Sequence, residues 1–430
     1  MSGAGAGPKH CRRGLARWTP LGSRLVPEAR HAPLELQTSL STAKGLRRGL
    51  YLHIPFCAVK CYFCDFTAFS GQNRWHDRYL DAIKAELSFY RRYPTQTLYI
   101  GGGTPTQLEI SELRRLLDIL RRAGRLENLA EATCEAYPAS ADADKLEALL
   151  RYGVNRLSIG LQTSAPERLK SLGRNHNFIR FRKTFVQARR LGFDNINVDL
   201  IYALPGQSLS DWRRTLRQIV SISPEHLSLY SLQIEERTVF AKKGVRIDPD
   251  LAARMYEWAC GFLETEGYGQ YELSNFALPG RESKHNLLYW TGGEYLGVGC
   301  GASSYLSGVR RTNQDRLDRY CESLERHEKP VLFEEKLCGK AKLGEYILLN
   351  LRTCRGVFWT TQMERAFADS RRTLQDLGLL ERTGRQLRLT RRGMLLANRV
   401  FREFVRPFAS DAARAFSNPR MSLKTVDGPL

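Results

Sequence analysis

The sequence predicts an α/β fold with a mainly parallel sheet. Short apolar runs alternate with longer segments of helical period, as in layered strand and helix units. Six such units are too few for a closed barrel of eight strands. The predicted strands are residues 50–54, 98–100, 132–136, 157–160, 196–201 and 227–231. The predicted helices lie within residues 75–93, 111–122, 142–152, 178–190 and 210–222.

The alternation stops near residue 240, and the sequence becomes mixed and glycine-rich. Residues 340–405 then show helical segments, a short hairpin around Thr383-Gly384 and a last helical segment, which predicts a small winged-helix-like α+β domain. The expected organisation is an α/β domain at 45–240, a covering region at 241–335, the small domain at 336–405 and a loose tail at 406–430.

The first 44 residues are basic, rich in Gly, Ala and Ser, and contain no acidic residue before Glu28. This composition is typical of a mitochondrial transit peptide. The alternative is a basic tail with no targeting role. A secretory signal is disfavoured because no apolar core follows the basic residues. We therefore expect a mitochondrial protein.

The net charge of +21 is concentrated at the two ends of the chain. Residues 1–48 contribute +7 and residues 341–430 contribute +9, so the middle carries only about +5. A nucleic-acid-binding groove is not required by this distribution, and nucleic acid is not an expected partner. No apolar run approaches the length of a membrane span.

Cys57, Cys61 and Cys64 form a CxxxCxxC triplet directly after the first predicted strand. Three thiolates on one loop can hold three irons of a 4Fe-4S cluster and leave the fourth iron open to another ligand. A structural zinc site needs a fourth ligand, usually from a second close cysteine pair. The seven other cysteines are scattered singly, so the triplet favours an iron-sulfur cluster over zinc or unrelated free thiols.

Glycines and polar residues follow the later predicted strands. Residues 101–105 read Gly-Gly-Gly-Thr-Pro at the end of the second strand, where glycine allows a ligand close to the backbone. Polar side chains amid apolar strand sequence are costly unless they are paired or bind a ligand. Taken singly, each polar side chain near the end of a predicted strand is more simply explained as a hydrogen-bonded structural group.

The triplet after a short strand and the glycine segment together resemble the radical S-adenosylmethionine (SAM) superfamily. This resemblance implies an open (β/α)6 partial TIM barrel, with sites at the carboxyl ends of the strands. It also implies that SAM binds the open iron and is cleaved by one electron from an external donor to a 5′-deoxyadenosyl radical. The SAM contacts that it implies are Tyr51, Gly102, Gly103, Thr104, Glu135, Gln162, Arg174 and Asp199. Tyr137 and Ala203 depart from the family pattern, which usually has Asn and Gly there.

Within this superfamily, the chain most resembles the branch that contains the coproporphyrinogen III dehydrogenases and the HemW haem chaperones. The dehydrogenases carry a further cysteine two residues after the triplet, where this chain has Phe66. Residues 285–290 instead read His-Asn-Leu-Leu-Tyr-Trp and match the HNxxYW motif of the haem chaperones. Residues 389–401 also resemble the C-terminal segment of proteins in that family.

His285 is the expected axial or near-axial haem ligand, because imidazole commonly binds haem iron and Tyr289 and Trp290 offer flat apolar surfaces. A helix would place His285 and Tyr289 on one face. The alternative is a packed aromatic helix start with a structural histidine.

The sequence therefore predicts a protein that carries a 4Fe-4S cluster and SAM, binds haem and passes it to a recipient haemoprotein. Enzymatic activity stays open, although conversion of coproporphyrinogen III is not expected. The alternatives are a radical enzyme acting on a tetrapyrrole and, more remotely, an RNA-modifying radical enzyme anchored by its basic C-terminal domain.

Overall fold

The structure is a computed structural model, and it describes residues 48–405. The predicted transit peptide at 1–44 and tail at 406–430 lie outside the described residues. The strands are β1 (Arg48–Ile54), β2 (Phe56–Cys57), β3 (Phe69–Ser70), β4 (Thr97–Gly102), β5 (Glu131–Ala136), β6 (Arg156–Gln162), β7 (Ile196–Tyr202), β8 (His226–Ser231), β9 (Gly269–Gln270), β10 (Asn275–Ala277), β11 (Glu294–Val298), β12 (Ser303–Leu306), β13 (Val309–Asn313), β14 (Val331–Lys336), β15 (Val357–Phe358), β16 (Leu380–Thr383) and β17 (Gln386–Leu389).

The α-helices lie mainly between these strands. They are α1 (His76–Ser88), α2 (Ile110–Arg122), α3 (Ala143–Arg151), α4 (Pro166–Ser171), α5 (Phe178–Leu191), α6 (Leu209–Val220), α7 (Val239–Lys242), α8 (Pro249–Thr265), α9 (Lys284–Trp290), α10 (Leu317–Glu325), α11 (Gly339–Leu351), α12 (Thr361–Asp376), α13 (Arg391–Leu395) and α14 (Ala397–Val405). Within residues 48–405, none of the helices has the length and apolar character needed to cross a membrane.

A twelve-stranded sheet forms the centre of the protein, in the order β14-β13-β12-β11-β1-β4-β5-β6-β7-β8-β10-β9. The six predicted strands are β1, β4, β5, β6, β7 and β8, and they pair in parallel in chain order. The predicted strand and helix repetition is therefore confirmed, and the sheet is an open partial barrel with two edges rather than a closed one.

Alternation along β1 separates the two faces of this sheet. Leu50, Leu52 and Ile54 are fully buried in the main apolar core, together with apolar residues of the surrounding helices. Tyr51 and His53 instead contact each other and belong to the polar interior of the barrel. Because side chains alternate along a strand, one face of the sheet supplies the core and the other supplies the site.

Residues 241–335, expected to cover the open side of the barrel, contribute strands to both edges of the sheet. β9 and β10 continue from β8 with antiparallel pairing. At the other edge, β11 joins β1 in parallel, and β12, β13 and β14 follow in antiparallel order. This region therefore lengthens the sheet beyond the six barrel units.

Residues 339–405 have an apolar core of their own around Leu351, Phe367 and Phe401. A three-stranded sheet in the order β15-β17-β16 packs with α11, α12 and α14 in the predicted winged-helix-like arrangement. The hairpin around Thr383-Gly384 is confirmed. The last helical segment is divided at Leu396, where the backbone leaves the helical region between α13 and α14.

A buried carboxyl group joins α1 to the strands and helix that follow residue 290. Glu86 Oε2 accepts hydrogen bonds from the Tyr320 hydroxyl at 2.5 Å and from the Gly299 amide at 2.9 Å. Its Oε1 accepts from Asn313 Nδ2 at 2.7 Å. Burial raises the pKa of Glu86 to about 7, because the charged form loses its hydration.

We expect Glu86 to make protein stability depend on pH. The folded-state pKa lies above the ordinary value of 4.5, so the unfolded chain releases this proton first and wild type loses stability as pH rises from about 4.5 to about 7. The side chain of the Glu86→Gln variant does not ionise, so it contributes no such pH dependence. The difference in unfolding free energy, wild type minus variant, should therefore be greatest near pH 5 and decrease towards pH 8. Denaturant unfolding at a series of pH values from about 5 to about 8 measures this difference.

Glu127→Gln is the matched control, because Glu127 is exposed. Its difference from wild type should not follow the same pH curve. A Glu86 difference that stays constant or grows with pH would show that the three donors hold this carboxyl as an anion.

Candidate cofactor site

Backbone hydrogen bonds hold the cysteine loop at both of its ends and near its middle. β2 and β3 pair in parallel with Cys57 opposite Ser70, which closes the base of the loop. The Tyr62 amide donates to the Leu172 carbonyl at 3.0 Å, and the Tyr62 carbonyl accepts from the Phe240 amide at 3.1 Å. These backbone bonds hold the triplet beside the carboxyl ends of the barrel strands.

All three cysteines of the triplet are free and line one pocket with a volume of about 520 Å³. Cys57 Sγ lies 3.6 Å from Thr104 Oγ1, and Cys61 Sγ accepts a hydrogen bond from Arg174 Nη1 at 3.5 Å. Burial raises the pKa of Cys57 and raises that of Cys64 to about 11. Metal binding at this loop must therefore displace thiol protons.

The triplet has the ligand set of a cluster. A structural zinc ion takes four protein ligands, whereas this loop offers three thiolates. The thiolates of a 4Fe-4S cluster each bind a different iron, so three cysteines spread around one pocket suit the cube.

The glycine segment brings β4 against the residues that precede the cysteine loop. The Gly103 amide donates to the Ile54 carbonyl at 2.8 Å, and the Gly102 amide donates to Glu135 Oε2 at 3.0 Å. Gly102 has a φ of +110°, and a Cβ there would lie 2.4 Å from His53 Nδ1. Only glycine combines this backbone conformation with this close approach.

Seven of the eight SAM contacts implied by the resemblance line the same pocket as the cysteines. They are Gly102, Gly103, Thr104, Glu135, Gln162, Arg174 and Asp199. Burial, followed by the charge of Asp199, raises the pKa of Glu135 to about 7. Gln162 Oε1 and Arg174 Nε are buried without a hydrogen-bond partner among the described residues. Orphaned polar atoms beside two acids fit the amino, carboxylate and ribose groups of SAM.

Tyr51, the eighth implied contact, does not line the pocket. Its ring stacks on Tyr99 with the centroids 6.1 Å apart, and its hydroxyl lies 2.9 Å from His53 Nδ1. Tyr99 stands in front of it and donates to Glu135 Oε1 at 2.9 Å. Tyr51 therefore lies outside the pocket lining and packs against Tyr99, and its role as a SAM contact stays a prediction.

His285 also lies away from the pocket. It is on a helix, as expected, but its side chain is fully buried at the opposite end of the barrel, beside Thr97 at the start of β4. Hydrogen bonds join Nδ1 to Thr97 Oγ1 at 2.9 Å and Nε2 to the Tyr289 hydroxyl at 2.7 Å. Burial, followed by the charge of Arg156, lowers the pKa of His285 to about 3. This geometry does not support His285 as a haem ligand, because neither ring nitrogen is available.

The HNxxYW segment closes the lower end of the barrel. Glu131, at the start of β5, accepts from the Lys284 amide at 2.9 Å and from the His285 amide at 3.0 Å. A carboxyl group at the first turn of a helix satisfies amides that have no partner within the helix. Trp290, at the end of this helix, packs under the Arg352 guanidinium, 4.4 Å from the ring centroid. The segment therefore connects the barrel to the first helix of the C-terminal part.

The sequence analysis did not predict some of the residues that line the pocket, and it gave one other lining residue no role. Tyr99 and Ser158 lie on the inner face of their strands, two residues from glycines that could have identified that face. Tyr137 was noted only as a departure from the family pattern. Its ring lies under the Arg174 guanidinium at 4.7 Å, and its hydroxyl bonds to Asn175. It therefore positions the arginine that contacts the cysteine loop.

Comparison with known proteins agrees with this geometry. The Radical SAM superfamily profile matches residues 51–219, which include the cysteine loop and most of the pocket. The Heme chaperone HemW of Lactococcus lactis is 35% identical over 367 residues, which cover 83% of this chain and 96% of that protein. The chain belongs to the HemW family of radical SAM proteins. HemW of Escherichia coli is 37% identical over 303 residues, covering 66% and 80% of the two chains.

Two further comparisons concern a eukaryotic relative and a solved structure. The mitochondrial radical S-adenosyl methionine domain-containing protein 1 of Danio rerio is 36% identical over 267 residues, which cover 60% of each chain. Coproporphyrinogen III oxidase (HemN) of Escherichia coli superposes with a TM-score of 0.74 over 84% of this chain and 91% of that one, at 24% identity. This likeness confirms the radical SAM fold, with its partial barrel and C-terminal domain.

We expect the triplet to be required for the cluster. Anaerobically reconstituted protein should hold about four irons and four labile sulfides per chain, and Cys57→Ser, Cys61→Ser and Cys64→Ser should each lose them. Cys338→Ser is the control, because Cys338 is exposed at the start of α11, outside the pocket. Stoichiometric zinc without iron-sulfur absorbance would contradict the assignment.

The position of His285 leads to a second prediction. His285→Ala should lower the thermal midpoint, because it removes two buried hydrogen bonds and opens a cavity; the combined cost is about 2–5 kcal/mol. The Soret spectrum of haem bound to the folded variant should stay as in wild type. Differential scanning calorimetry and haem titration separate these effects. A shifted Soret band with unchanged stability would return His285 to the haem site.

Proposed function

We propose that this protein is a haem chaperone of mitochondria, which binds haem and transfers it to a recipient haemoprotein. Similarity to HemW over 96% of the length of the Lactococcus lactis protein is the observation that carries this proposal. The mitochondrial name of the Danio rerio relative and the basic N-terminal sequence support the location. Haem, a recipient haemoprotein and an electron donor to the cluster are the proposed partners.

The pocket supports a role for SAM and a 4Fe-4S cluster in this function. Cys57, Cys61 and Cys64 would hold three irons, and the open iron would bind SAM and supply one electron for its cleavage. Glu135 can accept hydrogen bonds from the SAM amino group, because it lies at the glycine segment that also contacts the residues before the cysteine loop. Arg174 can meet a carboxylate while its other nitrogens hold the Gly160 carbonyl and Cys61 Sγ.

The second candidate is a radical enzyme acting on a tetrapyrrole. The seven implied SAM contacts that line the pocket favour it, because binding and transfer of haem do not by themselves need a SAM site. Phe66 stands against it, since the dehydrogenases have a cysteine at that position. An RNA-modifying activity has no comparable support in the pocket.

Parallel assays separate the two candidates. Reconstituted full-length protein should bind haemin with a defined Soret band and pass it to haem-depleted proteins of a mitochondrial extract faster than free haemin at the same concentration. With SAM and a reductant, it should not convert coproporphyrinogen III to protoporphyrinogen IX. Absence of haem binding would refute the chaperone proposal, and SAM-dependent decarboxylation would establish the enzyme.

A further inference from the structure

The mouth of the pocket carries two exposed apolar side chains. Val59 is 51% exposed and Phe66 is 69% exposed, and both line the pocket that contains the triplet. We call them the rim pair. They belong to one loop, and Lys60 Nζ ties its two parts together by donating to the Phe66 carbonyl at 3.0 Å. The rim pair is therefore held at the entrance beside one cationic side chain.

The floor of the pocket has the opposite character. Glu135, Asp199, Gln162 and Arg174 provide acidic, amide and guanidinium groups there. These groups suit a polar ligand, and they lie at the strand ends, below the loop. The rim pair cannot satisfy polar groups, and its exposure to water is unfavourable by the ordinary cost of apolar surface. The pocket is thus divided into a polar floor and an apolar entrance, which offers a second, apolar occupant a place to bind.

The entrance is better matched to a flat small molecule than to a protein. A stable protein interface buries about 800 Å² on each partner, far more than two side chains supply. Small-molecule sites combine apolar walls with a few fixed polar groups, as the rim pair and Lys60 do. A porphyrin offers a planar apolar face together with carboxylates at its edge, so it can meet both features at once.

We propose that the rim pair binds one face of the haem macrocycle, with a propionate against the Lys60 ammonium, directly above the SAM-binding floor. This inference rests on the proposed chaperone function. Haem at the entrance would cover the floor, and bound SAM would then leave only when haem leaves or tilts. The same pocket would therefore hold both cofactors, one above the other.

The test compares Phe66→Ala, Phe66→Trp and the control Phe358→Ala in reconstituted full-length protein titrated with haemin. Phe358 is 55% exposed and lies in β15 of the C-terminal part. Phe66→Ala should weaken haemin binding roughly tenfold, because an apolar contact is lost. Phe66→Trp should retain affinity, and Phe358→Ala should match wild type. Iron content and SAM affinity should stay unchanged in Phe66→Ala, which shows that the variant is folded.

A kinetic measurement tests the stacked arrangement. Haemin should slow the release of radiolabelled SAM from wild type and should have less effect on Phe66→Ala. Equal haemin affinity in Phe66→Ala and wild type would overturn the inference while leaving the chaperone proposal standing. Slower cluster reduction by a protein donor in that variant, with unchanged haemin affinity, would assign the rim pair to protein docking instead. Wild type that binds no haemin would remove the chaperone proposal itself.

Discussion

The close approach between the glycine segment and the chain before the cysteine loop determines how the pocket is built. A Cβ at Gly101 would lie 2.8 Å from the Glu135 carboxyl carbon, and one at Gly103 would lie 2.9 Å from the Ile54 carbonyl oxygen. No side chain fits at either position without displacing the acid or the loop. Because backbone hydrogen bonds fix this contact, the cluster ligands and the SAM floor are held together independently of most side chains.

The interior of the barrel contains two polar levels, one at the carboxyl ends of the strands and one at their amino ends. At both levels burial shifts the pKa of a side chain so that its neutral form is favoured. At the upper level, burial raises the pKa of Glu135, so that its charge depends on what binds beside it. At the lower level, burial lowers the pKa of His285 and favours the neutral ring that bonds Thr97 and Tyr289. The upper level is open to a ligand and the lower level is closed by its own hydrogen bonds, which is why only the upper one forms a site.

Local patterns predicted the six strands, their helices and the cysteine loop, because each depends on spacing within a short segment. The residues of the pocket floor come from several strand ends far apart in the chain, and only the resemblance to the radical SAM family brought them together. The position of His285 depends on a partner 188 residues away, Thr97, which no local pattern identifies. A histidine shortly before a Tyr-Trp pair looks like a ligand in sequence, whereas the fold uses it as a buried hydrogen-bonding group. The stacking of Tyr51 on Tyr99 likewise joins two strands and is not visible in either segment alone.

The two departures from the family pattern affect the site in different ways. Ala203 adopts a φ of +57°, a conformation that favours glycine, the usual residue of the family pattern there, and that costs an alanine about 1–2 kcal/mol. Tyr137 adds a ring under Arg174, which itself donates to Cys61. Both residues come directly after strands, Tyr137 after β5 and Ala203 after β7. The Tyr137 ring therefore bears on the surroundings of one cluster ligand, Cys61, through the arginine that it contacts.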